Sequence, residues 1–185
     1  MRTASGDIPV LETPRLTLRA FRLGDLDGFM AIYADAEHAR FVSRVPDRSA
    51  AFEKMSALIG HWQLRGFGRF AVVEKATGHF LGHCGASQLD DAREPELNYA
   101  FAPHAAGKGF ATEAVRHVLG WLYAEKGWTT AISEINPQNQ PSRALAQRLG
   151  AVPDGVRDAG FAILDIWRYP APDVFLNNQT SATAN

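Results

Sequence analysis

The chain has 185 residues, 46% of them hydrophobic and 21% charged, which is enough to bury a substantial core as one domain. Its formal net charge of −1 provides no general attraction to nucleic acid or to an anionic membrane. One cysteine, Cys84, rules out an internal disulfide, no apolar run approaches the ~20 residues of a membrane span, and no secretory h-region follows Met1. The expectation is a cytoplasmic protein with no nucleic-acid and no membrane partner.

Leu16, Leu18 and Ala20 alternate with Thr17, Arg19 and Phe21, the period of a half-buried strand. Gly24 and Asp25 then open a helix to about Ala34, and a second helix is expected from Ser49 to Leu64, broken by Gly66 and Gly68. Phe70 to Lys75 and Phe80 to Leu89 read as a hairpin turned at Ala76-Thr77-Gly78-His79. Glu96 to Phe101 is a further strand stopped by Pro103, and a helix follows from Thr112 to Lys126. Thr129 to Ile135 is a strand, Gln140 to Leu149 a short helix stopped by Gly150, and Val152 to Val156 with Phe161 to Trp167 a closing pair around Asp158-Ala159-Gly160. The polar residues 177–185 are expected to be a disordered tail. Strands, helix, strand, helix and two strands give an α+β fold with a mixed sheet, as a single domain over residues 10–170.

The segment Ala106-Gly107-Lys108-Gly109-Phe110-Ala111-Thr112-Glu113-Ala114 carries the most chemistry. Two glycines precede a helix whose Ala111, Ala114, Val115, Val118, Leu119 and Leu122 form one apolar face. A helix start leaves amides without intrahelical partners and carries about half a positive charge, so an anion there gains hydrogen bonds and field together. A Walker loop is excluded, because Ala102 stands where it needs the first Gly and Gly109 where it needs Ser or Thr. A dinucleotide fingerprint is excluded by Thr112 in place of the third Gly and by the loop's position past mid-chain.

Gly109 and Ala111 match the R/Q-x-x-G-x-G/A coenzyme A loop of the GNAT N-acetyltransferases, with Ala106 at the first position. Leu11 to Arg19, Glu96 to Pro103, and Asn136 to Ser142 followed by Arg143 to Gly150 have the order and spacing of that family's landmarks. From Leu11 to about Pro170 the chain resembles the branch containing the ribosomal-protein N-terminal acetylases (RimJ/RimL-like). The resemblance implies a mostly antiparallel central sheet flanked by helices, and acetyl-CoA as co-substrate. It also implies a protein N-terminus or a small-molecule amine as acceptor, and a possible homodimer. It implies diphosphate contacts from Ala106, Gly107, Lys108, Gly109, Phe110, Ala111 and Thr112, and pantetheine contacts near Phe101, Ala102, Asn139 and Ser142. Lys108 adds charge to the loop or is a solvated lysine, and Asn139 bonds the pantetheine or caps the helix.

Acetyl transfer from a thioester to an amine needs a neutral amine, a donor at the developing oxyanion and a proton for the thiolate. On the resemblance Glu96 is the base, acting through water, or else a solvated strand-end residue. Ala146 stands where many relatives have a tyrosine acid, which leaves Ser142, Tyr99 or water for that role. His79, His83 and Cys84 are too few for a zinc site, so no metal is expected. Asp165 receives a cationic acceptor or pairs at a strand edge, and Phe41, His61, Trp62 and Phe67 line the acceptor mouth or fill core. Two other readings stay open: a non-catalytic acyl-CoA sensing module, and a nucleotide-binding α/β protein.

Overall fold

A computed structural model describes residues 8–34, 40–41 and 47–183. Its strands are β1 (Leu11–Glu12), β2 (Leu16–Arg19), β3 (Arg69–Glu74), β4 (Phe80–Ser87), β5 (Glu96–Phe101), β6 (Ile132–Ile135), β7 (Val152–Asp158) and β8 (Ile163–Arg168). The helices are α1 (Leu26–Ala34), α2 (Arg48–Arg65), α3 (Phe110–Lys126), α4 (Gln140–Arg148) and α5 (Pro172–Thr183). The strand order is β1-β2-β3-β4-β5-β6-β8-β7. Pairing is antiparallel at β1–β2, β2–β3, β3–β4, β6–β8 and β7–β8, and parallel at β5–β6. The fold is therefore α+β with a mixed sheet, as the residue pattern led us to expect, and mostly antiparallel, as the resemblance implies.

Backbone contacts divide the chain into two compact units, residues 1–87 with 98–115 and residues 88–97 with 116–185. In the first unit, Leu16 and Leu18 are fully buried, but the strand stops at Arg19 and Phe21 turns inward too. The reason is local. Asp25 accepts both Arg19 Nη atoms at 2.7 and 2.8 Å and the Arg22 amide at 2.8 Å, which bends the chain into α1. Phe21 then joins Leu26, Phe29, Ile32, Tyr33, Ala51 and Met55 in an apolar cluster. Helix α2 starts at the Asp47 cap, whose carboxylate accepts from the Ala50 amide at 2.9 Å, and stops at Gly66 with φ 71°. Strand β4 passes so close to β5 that a Cβ at Gly82 would lie 2.4 Å from the Ala100 carbonyl oxygen, which only glycine avoids.

In the second unit, β5 and β6 pair at Glu96 and Ile132, and the Ser133 hydroxyl donates to the Leu97 carbonyl at 2.6 Å. Trp167, Leu145, Ala146, Leu149 and Phe175 are buried. Tyr123 donates to the Pro170 carbonyl at 2.8 Å and meets Phe175 edge-on. Helix α5 continues through Thr183, into the segment read as a disordered tail, while residues 184–185 lie outside the described residues. Phe175 anchors it in a buried position, an apolar contact that the polar composition of 177–185 does not reveal. The strand expected from Thr129 begins at Ile132, and the one expected from Phe161 begins at Ile163, leaving Phe161 exposed in the turn.

Candidate active site

The glycine loop lies in the first unit. Strand β5 ends at Phe101, a short 3₁₀ turn runs Pro103–Ala105, and α3 starts at Phe110, two residues before the expected start. Gly107 and Gly109 both have positive φ, 73° and 78°, a conformation that costs an L-residue about 1–2 kcal/mol. A Cβ on Gly107 would meet nothing within 4 Å, so the glycine is needed for its backbone angle and not for space. The first hydrogen bond of α3 runs from the Glu113 amide to the Gly109 carbonyl at 3.0 Å. The amides of Phe110, Ala111 and Thr112 therefore have no intrahelical acceptor and form, with the helix dipole, a cradle that fits an anion.

The cradle is held from behind by residues whose role the sequence did not disclose. Glu113 Oε1 accepts from Thr13 Oγ1 at 2.6 Å and from the Arg15 amide at 3.0 Å, while Oε2 accepts from Arg15 Nε at 2.6 Å. Arg15 Nη1 donates to the Lys108 carbonyl at 2.9 Å, and its guanidinium lies 4.6 Å over the Phe110 ring. Burial pushes the Glu113 carboxyl up, but the hydrogen bonds from Thr13 and Arg15 outweigh it and hold the group below the usual carboxylate range. Nothing in the spacing of residues 13, 15 and 113 announces this contact, because it spans about 100 positions of chain.

Phe101 and Ala102 precede the loop and are buried. Both backbone groups of Ala102 are engaged, its amide with the Leu81 carbonyl at 2.8 Å and its carbonyl with the Ala105 amide at 2.9 Å. Ala106 and Lys108 are exposed, and Lys108 engages the loop brace through its carbonyl. Tyr99 is half-buried on β5, next to Asn98, which donates to Ser87 Oγ at 2.7 Å.

Glu96, Asn139 and Ser142 lie in the second unit. Glu96 is half-buried at the start of β5. Arg157 is held strongly protonated, first by its bonds to Glu134 and further by the charges of Glu96 and Asp158. Asn139 is the N-cap of α4, accepting from the Ser142 amide at 3.2 Å, so the capping role is filled. Ala146 is fully buried. Asp165 faces Arg143, with 3.9 Å between charged atoms, and not Arg168, which bonds Glu94 and Asp154.

His83 is fully buried with Nε2 3.2 Å from the Tyr33 hydroxyl, and burial pushes the Cys84 thiol well up, the opposite of nucleophile activation. Among the described residues no group of three or more His, Cys, Asp or Glu is placed to hold a metal, and no helix is long and apolar enough to cross a membrane. Trp62 packs edge-on against Phe70 and donates to the Arg69 carbonyl at 2.9 Å, which makes it core, while His61 bonds the Phe67 carbonyl at 2.8 Å.

Comparison with known proteins agrees with this architecture. The family model described as an acetyltransferase (GNAT) domain matches residues 15–152. An uncharacterised N-acetyltransferase, p20, from Bacillus licheniformis is 30% identical over 150 residues, covering 79% of this chain and 84% of that protein. The crystal structure of an acetyltransferase from Agrobacterium tumefaciens strain C58 superposes with a TM-score of 0.79 at 25% identity, covering 92% of this chain and 99% of that one. A ribosomal-protein-S5-alanine acetyltransferase from Vibrio fischeri shares the fold, with a TM-score of 0.71 at 16% identity over 86% of this chain and 95% of that one. With a match over residues 15–152 and a relative at 30% identity, the chain belongs to the GNAT acetyltransferase family.

Proposed function

We propose that this protein transfers the acetyl group of acetyl-CoA to a primary amine, either a protein N-terminal α-amine or a small-molecule amine. The observation that carries the reading is the pair of positive-φ glycines, Gly107 and Gly109, feeding a helix whose first amides lack intrahelical acceptors. Family membership and the fold likeness to acetyltransferases support it.

In this reading the amides from Gly107 to Thr112 hold the diphosphate, with Ala106 leaving room beside them and the Lys108 charge nearby. Phe101 and Ala102 form the wall along the pantetheine arm. Asn139 orders the start of α4, so that Ser142 is presented at a fixed place. The coenzyme supplies an activated thioester and a thiolate leaving group. Glu96 takes the proton of the acceptor amine, directly or through water, and Tyr99 or Ser142 returns a proton to the departing sulfur.

The demand on Glu96 depends on the acceptor. An amine of reference pKa ~10.4 costs about 4.6 kcal/mol to deprotonate at pH 7, and an α-amine near ~7.8 costs about 1 kcal/mol. The experiment is a panel of peptides with free N-termini and of small amines, incubated with acetyl-CoA while free thiol and acetylated product are followed. Thiol release matched by acetylated amine is expected. Binding of the coenzyme with no release over the whole panel would favour the sensing module instead, and stabilisation by ATP or NAD over CoA would favour a nucleotide-binding protein.

A further inference from the structure

Ala106 occupies the place where the loop pattern has Arg or Gln, so the polar side chain of that pattern is missing there. The support comes from elsewhere. Arg15, between β1 and β2, contacts the Lys108 carbonyl, the Glu113 carboxylate and the face of Phe110 at once, and its Nη2 lies 3.4 Å from where a Gly109 Cβ would stand.

In a trans peptide the C=O and the N–H lie in one plane and point in opposite directions across the C–N bond. Fixing the Lys108 oxygen on Arg15 therefore turns the Gly109 N–H away from Arg15. The Gly109 oxygen is fixed in turn by the Glu113 amide at 3.0 Å, which orients the Phe110 N–H in the same manner. Glu113 thus acts twice: its amide pins one carbonyl, and its carboxylate pins the guanidinium that pins the other. Thr13, 6% exposed, adds a 2.6 Å bond that keeps the carboxylate in place.

We propose that Arg15 is a positioning residue for the diphosphate loop: clamped by Glu113, it sets the direction of the Gly109 and Phe110 amides and so the affinity for the diphosphate of CoA. This rests on the acetyl-CoA reading above. The fork geometry matters, because a lysine carries its charge on one nitrogen and cannot span the Lys108 carbonyl and the Glu113 carboxylate as two separate guanidinium nitrogens do.

The test compares wild type with R15A, R15K and E113Q in three measurements: the calorimetric Kd for CoA, binding of pantetheine, which has no diphosphate, and exchange of the Glu113 amide, which is held on the Gly109 carbonyl. The expected result is about tenfold weaker CoA binding by R15A, an intermediate loss for R15K, unchanged pantetheine binding, and faster exchange at Glu113. Wild-type affinity for CoA in folded R15A overturns the proposal, as does an equal loss for CoA and pantetheine. If R15A does not fold, R15K and E113Q decide by the same ratio of CoA to pantetheine binding. A wild-type protein that binds no CoA would overturn the functional reading itself, a result distinct from wild-type binding with R15A unaffected.

Discussion

The hydroxyl of Tyr33 lies 3.2 Å from Nε2 of His83, and this contact joins α1 to the middle of β4 inside the core of the first unit. Among the described residues His83 Nδ1 is buried with no hydrogen-bond partner, which leaves Nε2 to make the ring's hydrogen bond. The ring also stacks on Phe29 at 5.4 Å.

Tyr33→Phe removes that contact without opening a cavity. A buried polar atom left unsatisfied costs about 1–3 kcal/mol, so the urea midpoint should fall while the slope of the transition stays unchanged. Stability equal to wild type would show that the contact is not a net contributor.

The same histidine gives the fold an acid limit. Burial, together with the nearby charges of Arg69 and Lys54, pushes His83 well below its ordinary value of 6.5, so the folded chain keeps it neutral. Below pH 6.5 the unfolded chain binds a proton that the folded chain does not, and stability therefore falls as pH falls until the folded value is passed. Denaturant titrations between pH 7 and 5 should show this slope in wild type and a shallower one in His83→Leu. An unchanged slope in the variant would assign it to other groups.

Gly107→Ala puts a Cβ into open space but at a φ of 73°, so it isolates backbone strain from crowding. The expected cost is about 1 kcal/mol, or roughly 2–4 °C in Tm for a chain of this size. If the loop relaxes instead, Tm holds and the calorimetric Kd for CoA rises. No change in either quantity would mean that the loop does not require the left-handed turn.

Glu96→Gln tests the base and the acceptor together. Loss of the carboxylate should slow transfer to a lysine-type amine far more than transfer to an α-amine, because the deprotonation costs are about 4.6 and about 1 kcal/mol. The ratio of kcat/KM values for two peptides, one offering each amine, measures the difference. Equal slowing of both would remove Glu96 from proton transfer, and no slowing would leave it as a strand-end residue.

The apolar faces of α3 and β2 were legible because their period is local: Ala114, Val115, Val118, Leu119 and Leu122 repeat at helical spacing and are all fully buried. The two glycines of the loop were legible for the same reason, since a positive φ selects glycine within one residue. The ends of β6 and β8 were not, because pairing decides where a strand starts, and β6 begins where Ile132 finds Arg168 of β8. Helix α5 was missed because its anchor, Phe175, counts little in a polar composition yet is buried.

Sequence alone determined the family, the order of the elements and the glycine-rich loop ahead of α3, all of which depend on residue type at short spacing. Tertiary structure alone decided that Asp165 faces Arg143, that Asn139 spends its side chain on the cap, and that Arg15 with Thr13 and Glu113 braces the loop. Those contacts join residues as far as 100 positions apart, and which side chains meet at such range is set by how the strands and helices pack, which no local pattern encodes.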